Sequence, residues 1–290
     1  MTIPTRLPLS FAASGFVTPE LARRGGKRFR RLMMRTEGIA DSGKTEFLLT
    51  CPGPGEVLCL DRGFDAVFDN PRPPPTRRTD FGFKVVTVPT ATQFASAKDY
   101  VPYWAIAHQS YLDALTNPDS RTVCIDGDNL GWDLQRLAEH GKLTGIFPAT
   151  RYTDVYAARR AYYFRAWDSG KIILATNWMR DEYAVMHDTK GAVLLDEKGE
   201  PKKEKTGNKA SSGFPDHDYL WQICLRHLYI PPQWNKILKR NLPPKWGLLI
   251  TKCKADPMLV GTELWGGDAT FTGLVQTVYP QIPLSEWGLS

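Results

Sequence analysis

A short segment near the start of the chain has the residue types and spacing to bind phosphate. In TEGIADSGKTEF, at 36–47, Gly38, Gly43, Lys44 and Thr45 follow the pattern G-x-x-x-x-G-K-T of a P-loop. Glycine at both positions permits backbone conformations and a close approach that a Cβ atom would block. The lysine would reach the β- and γ-phosphates of a nucleotide, and the threonine hydroxyl would bind Mg²⁺. An ordinary glycine-rich turn is the alternative.

We therefore predict that ATP and Mg²⁺ bind at this loop. The predicted nucleotide-binding residues are contiguous: Gly38, Ile39, Ala40, Asp41, Ser42, Gly43, Lys44, Thr45 and Glu46.

Two acids later in the chain could complete such a site. The apolar segment VCID ends in Asp126, which a strand buried on both faces would deliver beside the loop. There it could hold Mg²⁺ through water, with Thr45 as the other magnesium ligand. Asp126 could instead only end a strand or cap the next helix. Asp128 could position the attacking water or serve as the N-cap of the following helix, and the sequence favours neither role.

Two further segments carry polar residues at the ends of apolar runs. KIILATN, at 171–177, ends in Asn177, whose amide could sense the γ-phosphate or could simply end the strand at a turn. In LLITKCKADP, Lys252 and Lys254 are two residues apart on a predicted strand and so share one face. Ammonium groups there are costly unless they meet an anion or solvent. A solvated strand edge is the alternative.

Short apolar strands alternate with helical segments along the chain. Strands are predicted at 31–34, 57–61, 83–89, 121–126, 171–177 and 246–254, and helices at 46–50, 91–116, from 129 to a stop at Gly141, at 151–168 and at 216–229. A hairpin with its turn at 189–191 is also expected. This alternation predicts an α/β fold with a mainly parallel central sheet and helices on both faces. Ligands of such sheets bind beyond the carboxyl ends of the strands.

Composition places limits on the class of protein. With 290 residues, of which 42% are hydrophobic, the chain is long enough for one sizeable core with extensions. The sequence contains no run of 18 apolar residues, so we predict no membrane span. The N-terminus lacks the apolar region of a secretory signal. Five scattered cysteines without C-x-x-C pairs predict buried free thiols in a reducing compartment, hence the cytoplasm. The net charge of +6 favours contact with a polyanion.

In order and spacing, these segments resemble the RecA-like recombinase superfamily, and most closely the compact phage ATPases of the single-strand-annealing group. The resemblance covers roughly residues 29–256. It implies a RecA-like P-loop core, with Asn177 where an amide usually senses the γ-phosphate. It also implies that Lys252 and Lys254 reach ATP on a neighbouring subunit, and hence a homo-oligomer with ATP at its subunit interfaces. The host cytoplasm is expected if the protein is phage-encoded.

The predicted catalytic residues are then Lys44, Asp126, Asp128, Asn177, Lys252 and Lys254. One position departs from the family pattern. The strand after the P-loop helix usually ends in Asp followed two residues later by a catalytic Glu, and here Asp61 is followed by Gly63. Asp61, Asp65 and Asp128 are left as candidates for the general base. The separation of Thr45 from Asp126 leaves room for an intervening strand at 57–61, which is typical of ATPases in which a strand separates the two motifs.

Outside this core pattern, residues 1–28 are predicted to form an N-terminal arm, 196–213 a mobile basic loop within the 29–256 core, and 257–290 a C-terminal extension. Single-stranded DNA is the predicted partner. Candidate DNA contacts are Arg159 and Arg160 in an Arg- and Tyr-rich helix, and Lys202, Lys203 and Lys205 in the basic loop. The alternatives are a helix whose aromatic residues face the core and a loop kept soluble by its charges.

The sequence thus predicts an ATPase that acts on single-stranded DNA in recombination or annealing. A DNA-packaging or helicase-loading motor, and a nucleotide-binding partner protein without hydrolysis, are the alternatives.

Overall fold

A computed structural model describes residues 30–61, 64, 67, 76–90, 93, 96–141, 153–188, 191–196, 199, 201–211, 219–235 and 237–289, with the backbone alone at 180–183 and 205–211. The predicted N-terminal arm and Asp65 lie outside these residues. The strands are β1 Leu32–Gly38, β2 Gly55–Cys59, β3 Phe81–Val85, β4 Thr122–Asp126, β5 Ile172–Val185, β6 Lys203–Ser211, β7 Ile223–Ile230, β8 Gln233–Asn235, β9 Arg240–Leu242, β10 Lys245–Cys253 and β11 Glu263–Trp265. The helices are α1 Lys44–Leu48, α2 Ala97–Thr116, α3 Asp128–His140, α4 Thr153–Asp168 and α5 Phe271–Val278.

A large, mostly parallel sheet forms the centre of the protein. Its strand order is β11-β10-β7-β1-β5-β4-β2-β3, with β6 paired to the outer half of β5. The six strands from β7 to β3 run parallel, whereas β10, β11 and β6 pair antiparallel with their neighbours. A strand does separate β1 from β4, but it is β5. The predicted intervening strand, β2, lies on the far side of β4.

Helices cover both faces of this sheet, which confirms the α/β prediction. One face packs with α1 and α5 around Phe47, Leu48, Leu174, Phe271 and Trp287. The other face packs with α2, α3 and α4 around residues that include Tyr111, Ile125, Leu134, Tyr163 and Ala175. Residues of β11, α5 and Trp287, which lie within the predicted C-terminal extension at 257–290, belong to this packing.

Several predicted elements were confirmed at close to their expected bounds, and two were not. The predicted helix at 216–229 is wrong over 223–229, because these residues form the central strand β7. A continuous apolar run cannot be assigned to strand or helix from its periodicity alone. The predicted mobile loop at 196–213 contains strand β6, which pairs through its backbone with β5 and needs no apolar side chains to do so.

The described helices include none long and apolar enough to cross a membrane. All five cysteines are buried and free, as the sequence predicts.

Candidate nucleotide site

The glycine loop, residues 38–45, joins β1 to α1 at the carboxyl edge of the sheet. Gly38 has no room for a side chain, because a Cβ atom there would lie 2.3 Å from the hydroxyl oxygen of Ser42. Gly43 has φ of 86°, in the left-handed region that glycine adopts without strain. Asp41, also at positive φ, completes the reversal of the chain. Gly38 is therefore required by the packing of the Ser42 side chain, and Gly43 by the path of the backbone.

Lys44 is buried against this loop. Its ammonium Nζ donates hydrogen bonds to the carbonyl oxygens of Ile39, at 2.7 Å, and Gly38, at 3.2 Å. Burial lowers the pKa of Lys44, and the carboxylates of Asp126 and Asp61 oppose that shift. A cation held inside a loop of backbone groups, rather than directed to solvent, is available to an anion that enters the loop.

A hydrogen-bonded chain links the loop to β4 and β5. The Thr45 hydroxyl donates to Asp126 Oδ2 at 2.8 Å, and the Thr176 hydroxyl donates to Asp126 Oδ1 at 2.7 Å. The amide of Gly127 donates in turn to Thr176 at 2.8 Å. Burial raises the pKa of Asp126, against the opposing effect of these two hydroxyl donors. The structure thus brings together Lys44, Thr45 and Asp126. Thr45 and Asp126 are 81 residues apart in the sequence.

The oxygen atoms at this point suit Mg²⁺. A carboxylate and a hydroxyl are hard ligands, and Mg²⁺ commonly takes only one or two protein ligands together with water and phosphate. Among the residues that the structure describes, no group of three or more His, Cys, Asp or Glu side chains could hold a metal ion. An ion held by Thr45 and Asp126 would take its other ligands from water and phosphate.

Asp61 is another acid at the site. It lines the cavity above the glycine loop, and its Oδ2 accepts a hydrogen bond of 2.8 Å from the indole Nε1 of Trp178. Trp178 follows β5's site-facing Thr176 by two residues and also lines the cavity. Of the two general-base candidates that the structure describes, Asp61 and Asp128, it is Asp61 that lines the cavity.

Asn177 does not share this face of the sheet. Successive side chains of a strand point to opposite faces of the sheet. Thr176 lies on the face covered by α1, where it contacts Asp126. Asn177 instead has the direction of Ala175, which packs in the cluster of α2, α3 and α4. Its amide is buried and has no hydrogen-bond partner among the described residues. The predicted γ-phosphate sensor, Asn177, thus makes no hydrogen bond to Asp126, and Thr176 is the residue of β5 that does.

Asp128 and Arg159 form a buried pair on that same opposite face. Arg159 Nη2 donates to Asp128 Oδ1 at 2.5 Å, and the Tyr163 hydroxyl donates to Asp128 Oδ2 at 2.6 Å. Both charged side chains are almost fully buried. We therefore correct two predictions: Asp128 is engaged in joining α3 to α4 and does not reach water, and Arg159 is too buried to contact DNA.

The remaining predicted residues lie away from the glycine loop. Lys252 and Lys254 stand near the end of β10, which runs antiparallel to β7, so they lie at the amino edge of the parallel strands. Lys202 and Lys203 are exposed beside or on β6, the side chain of Lys205 lies outside the described residues, and Arg160 is half-buried on α4. No described contact tests their predicted roles.

A cavity of about 1320 Å³ lies over the glycine loop. One part of its wall is polar, with Lys44, Thr45 and Asp61. Another part is aromatic and is formed by Trp246 and Trp265 on β10 and β11. The Trp246 ring lies 3.2 Å from the position of a Cβ atom on Gly43, so it packs on the loop itself. Sequence reasoning missed this wall, because nothing local marks Trp246 as a neighbour of a loop two hundred residues earlier.

His227 lies beneath the loop and also borders the cavity. Its Nδ1 is 3.1 Å from the carbonyl oxygen of Ser42, which can only accept, so Nδ1 carries the hydrogen. Burial, with the charge of Lys44 adding to it, lowers the pKa of His227 to about 3. A neutral histidine thus supports the backbone of the loop.

Comparison with known proteins adds no relative to this description: no protein-family model matches the chain, and no curated protein matches it significantly.

Proposed function

We propose that this chain is a RecA-like P-loop protein that binds ATP with Mg²⁺, hydrolyses it, and acts on single-stranded DNA in recombination or annealing of the phage type. The observation that carries the proposal is the 2.8 Å hydrogen bond from Thr45 to Asp126, beside the buried ammonium of Lys44. Strand β5 between β1 and β4 supports the class of ATPase in which a strand separates these two motifs.

Within this proposal, each residue of the site has a separate task. Lys44 would leave the carbonyls of its loop to contact the β- and γ-phosphates. Thr45 and Asp126 would hold Mg²⁺, which neutralises phosphate charge when bound. Asp61 would orient and deprotonate the attacking water, since a general base must lie within hydrogen-bond reach of the proton it takes. The aromatic wall of Trp246 and Trp265 offers flat apolar surface to a nucleobase.

The proposal also includes an assembly with ATP between subunits. Lys252 and Lys254 lie at the opposite edge of the sheet from their own glycine loop. They could therefore reach a nucleotide only on a neighbouring copy, in keeping with the role that the family resemblance implies. Lys202 and Lys203 would contact DNA from the ribbon formed by β5 and β6. This ribbon begins at Met179, the residue that follows Trp178.

A second candidate function is a nucleotide-binding partner protein without turnover. Two observations favour it: Gly63 stands where the family's catalytic Glu is expected, and the indole of Trp178 already donates to Asp61, the acid proposed to activate water.

The experiment that tests the proposal is ATP turnover as a function of protein concentration, with no DNA, with single-stranded DNA and with duplex DNA. We expect the rate per chain to rise with protein concentration, because Lys252 and Lys254 would come from a neighbour, and to rise further with single-stranded DNA. Stimulation by duplex DNA alone would favour a packaging or translocating motor. ATP binding with no turnover under any condition would favour the second candidate.

A further inference from the structure

The segment between β7 and β10 forms a hairpin that stands apart from the central sheet. Among the strands that the structure describes, β8 and β9 pair only with each other, with Trp234 opposite Asn241. Two proline pairs, at 231–232 and 243–244, flank them. Proline restricts its own backbone and that of the residue before it, so these pairs stiffen both stems. We call residues 231–244 the proline-flanked hairpin.

Large apolar side chains at its tip are exposed to solvent, and the backbone of the turn is held by hydrogen bonds. The Asn235 side chain accepts hydrogen bonds from the amides of Ile237, at 2.9 Å, and Leu238, at 2.8 Å, which fixes the turn. Ile237 is 90% exposed and Trp234 is 61% exposed. An isolated two-stranded hairpin is only marginally stable in water. A partner that covers the apolar tip would therefore stabilise the hairpin by removing apolar surface from water.

The charge of this region selects the partner. Residues 231–245 contain four lysines and arginines and no aspartate or glutamate. Lys239, Arg240 and Lys245 are exposed on or next to the hairpin. Cations interleaved with exposed aromatic side chains match a phosphate backbone with stacked bases, the chemistry by which proteins bind single-stranded nucleic acid. A contact between copies of the chain would instead leave these like charges to be neutralised by the partner.

The base of the hairpin is part of the nucleotide cavity. Ile230, Pro244, Lys245 and Trp246 line it, and the Trp246 ring packs on Gly43 of the glycine loop. A change in the position of the loop would therefore be transmitted to the hairpin through one direct contact.

We propose that the proline-flanked hairpin is a binding site for single-stranded nucleic acid. Bases stack on Trp234, the aliphatic tip contacts base faces, and Lys239 and Arg240 neutralise phosphates. Occupation of the cavity changes the affinity of this site through Trp246. The inference rests on the proposed function for its ligand, but it places that ligand on a surface distinct from the β5–β6 ribbon.

The test is fluorescence anisotropy of a labelled oligo(dT), with full-length protein and several salt concentrations. Trp234→Ala should weaken binding by about 5- to 150-fold, the range of one lost stack. Trp234→Phe keeps an aromatic face and should retain most of the affinity. Met258→Ala removes another exposed apolar side chain, 88% exposed and at the other end of β10, and should change nothing. Replacing Lys239 and Arg240 by Ala should reduce the slope of log K against log salt by about 1.4.

Three outcomes would overturn the assignment. If wild-type protein binds oligo(dT) and Trp234→Ala binds equally well, the hairpin is not the site, while the proposed DNA function stands. If wild-type protein binds no oligo(dT), with or without ATP, the DNA function and the hairpin assignment fall together. If Trp234→Ala loses affinity only together with a lower mass in light scattering, the hairpin is a contact between copies of the chain.

Discussion

Protonation of His227 should destabilise the protein on mild acidification. An unfolded histidine has a pKa of about 6.5, whereas burial and the nearby Lys44 lower the pKa of folded His227 to about 3. Between these values only the unfolded state binds the proton. The stability that neutral His227 contributes is therefore complete above pH 6.5 and is lost as the pH falls toward 3.

The expected loss between pH 7 and pH 5 is about 2 kcal/mol. This figure depends almost wholly on the unfolded pKa and changes little while the folded pKa stays below about 4. Asp126, whose pKa is raised by burial, acts in the opposite direction, because its folded state binds protons more readily. A comparison of two proteins that share Asp126 removes that contribution.

The assay is urea unfolding of wild-type protein and His227→Asn at pH 7, 6 and 5. The Asn amide can still donate to the Ser42 carbonyl but does not titrate. Wild type should lose about 2 kcal/mol more than the variant over this range. His187→Asn, at an exposed histidine whose Nδ1 also lies by a carbonyl oxygen, is the matched control and should behave as wild type. Equal losses in wild type and His227→Asn would refute the reasoning.

Three other variants, two with a single substitution and one with a double substitution, each test one role. Asp61→Asn should lower turnover by about 10²- to 10⁴-fold and leave ATP affinity unchanged, because the variant lacks the proposed general base. Steady-state turnover and ATP titration measure the two effects, and unchanged turnover would remove Asp61 from the mechanism. Asp128→Asn should cost about 3–5 kcal/mol of unfolding free energy in urea, because it leaves Arg159 buried without a countercharge; a much smaller cost would contradict a structural role. Replacing Lys252 and Lys254 by Ala should reduce turnover but spare ATP binding, and an unaltered rate would exclude their cross-subunit role.

The residues that can be predicted from sequence are those whose signal is local. The glycine loop is specified by its own spacing, and β4 by an apolar run that ends in an acid. Both are confirmed as elements, and Thr45 and Asp126 do meet. Strand β7 was missed because its apolar run, buried on both faces over Ile223, Cys224 and Leu225, carries no period.

The parts of the site that could not be predicted depend on contacts between distant segments. The choice between Thr176 and Asn177 depends on which face of β5 receives α1, and that is set by the whole sheet. The indole of Trp178 reaches Asp61 across 117 residues of sequence. Arg159 lies in an Arg- and Tyr-rich helix whose composition suggests DNA binding. It is instead paired with Asp128, which belongs to another helix. In each case tertiary packing, and not local pattern, assigns the role.

The most direct measurement of the central claim is the rise in unfolding free energy caused by ATP and Mg²⁺ in wild type, Lys44→Ala and Asp126→Asn. At a ligand concentration 100 times the dissociation constant, wild type should gain about 2.7 kcal/mol. Lys44→Ala should gain nothing, and Asp126→Asn should lose the part of the gain that requires Mg²⁺. A gain equal to that of wild type in both variants would show that the nucleotide does not bind at the glycine loop.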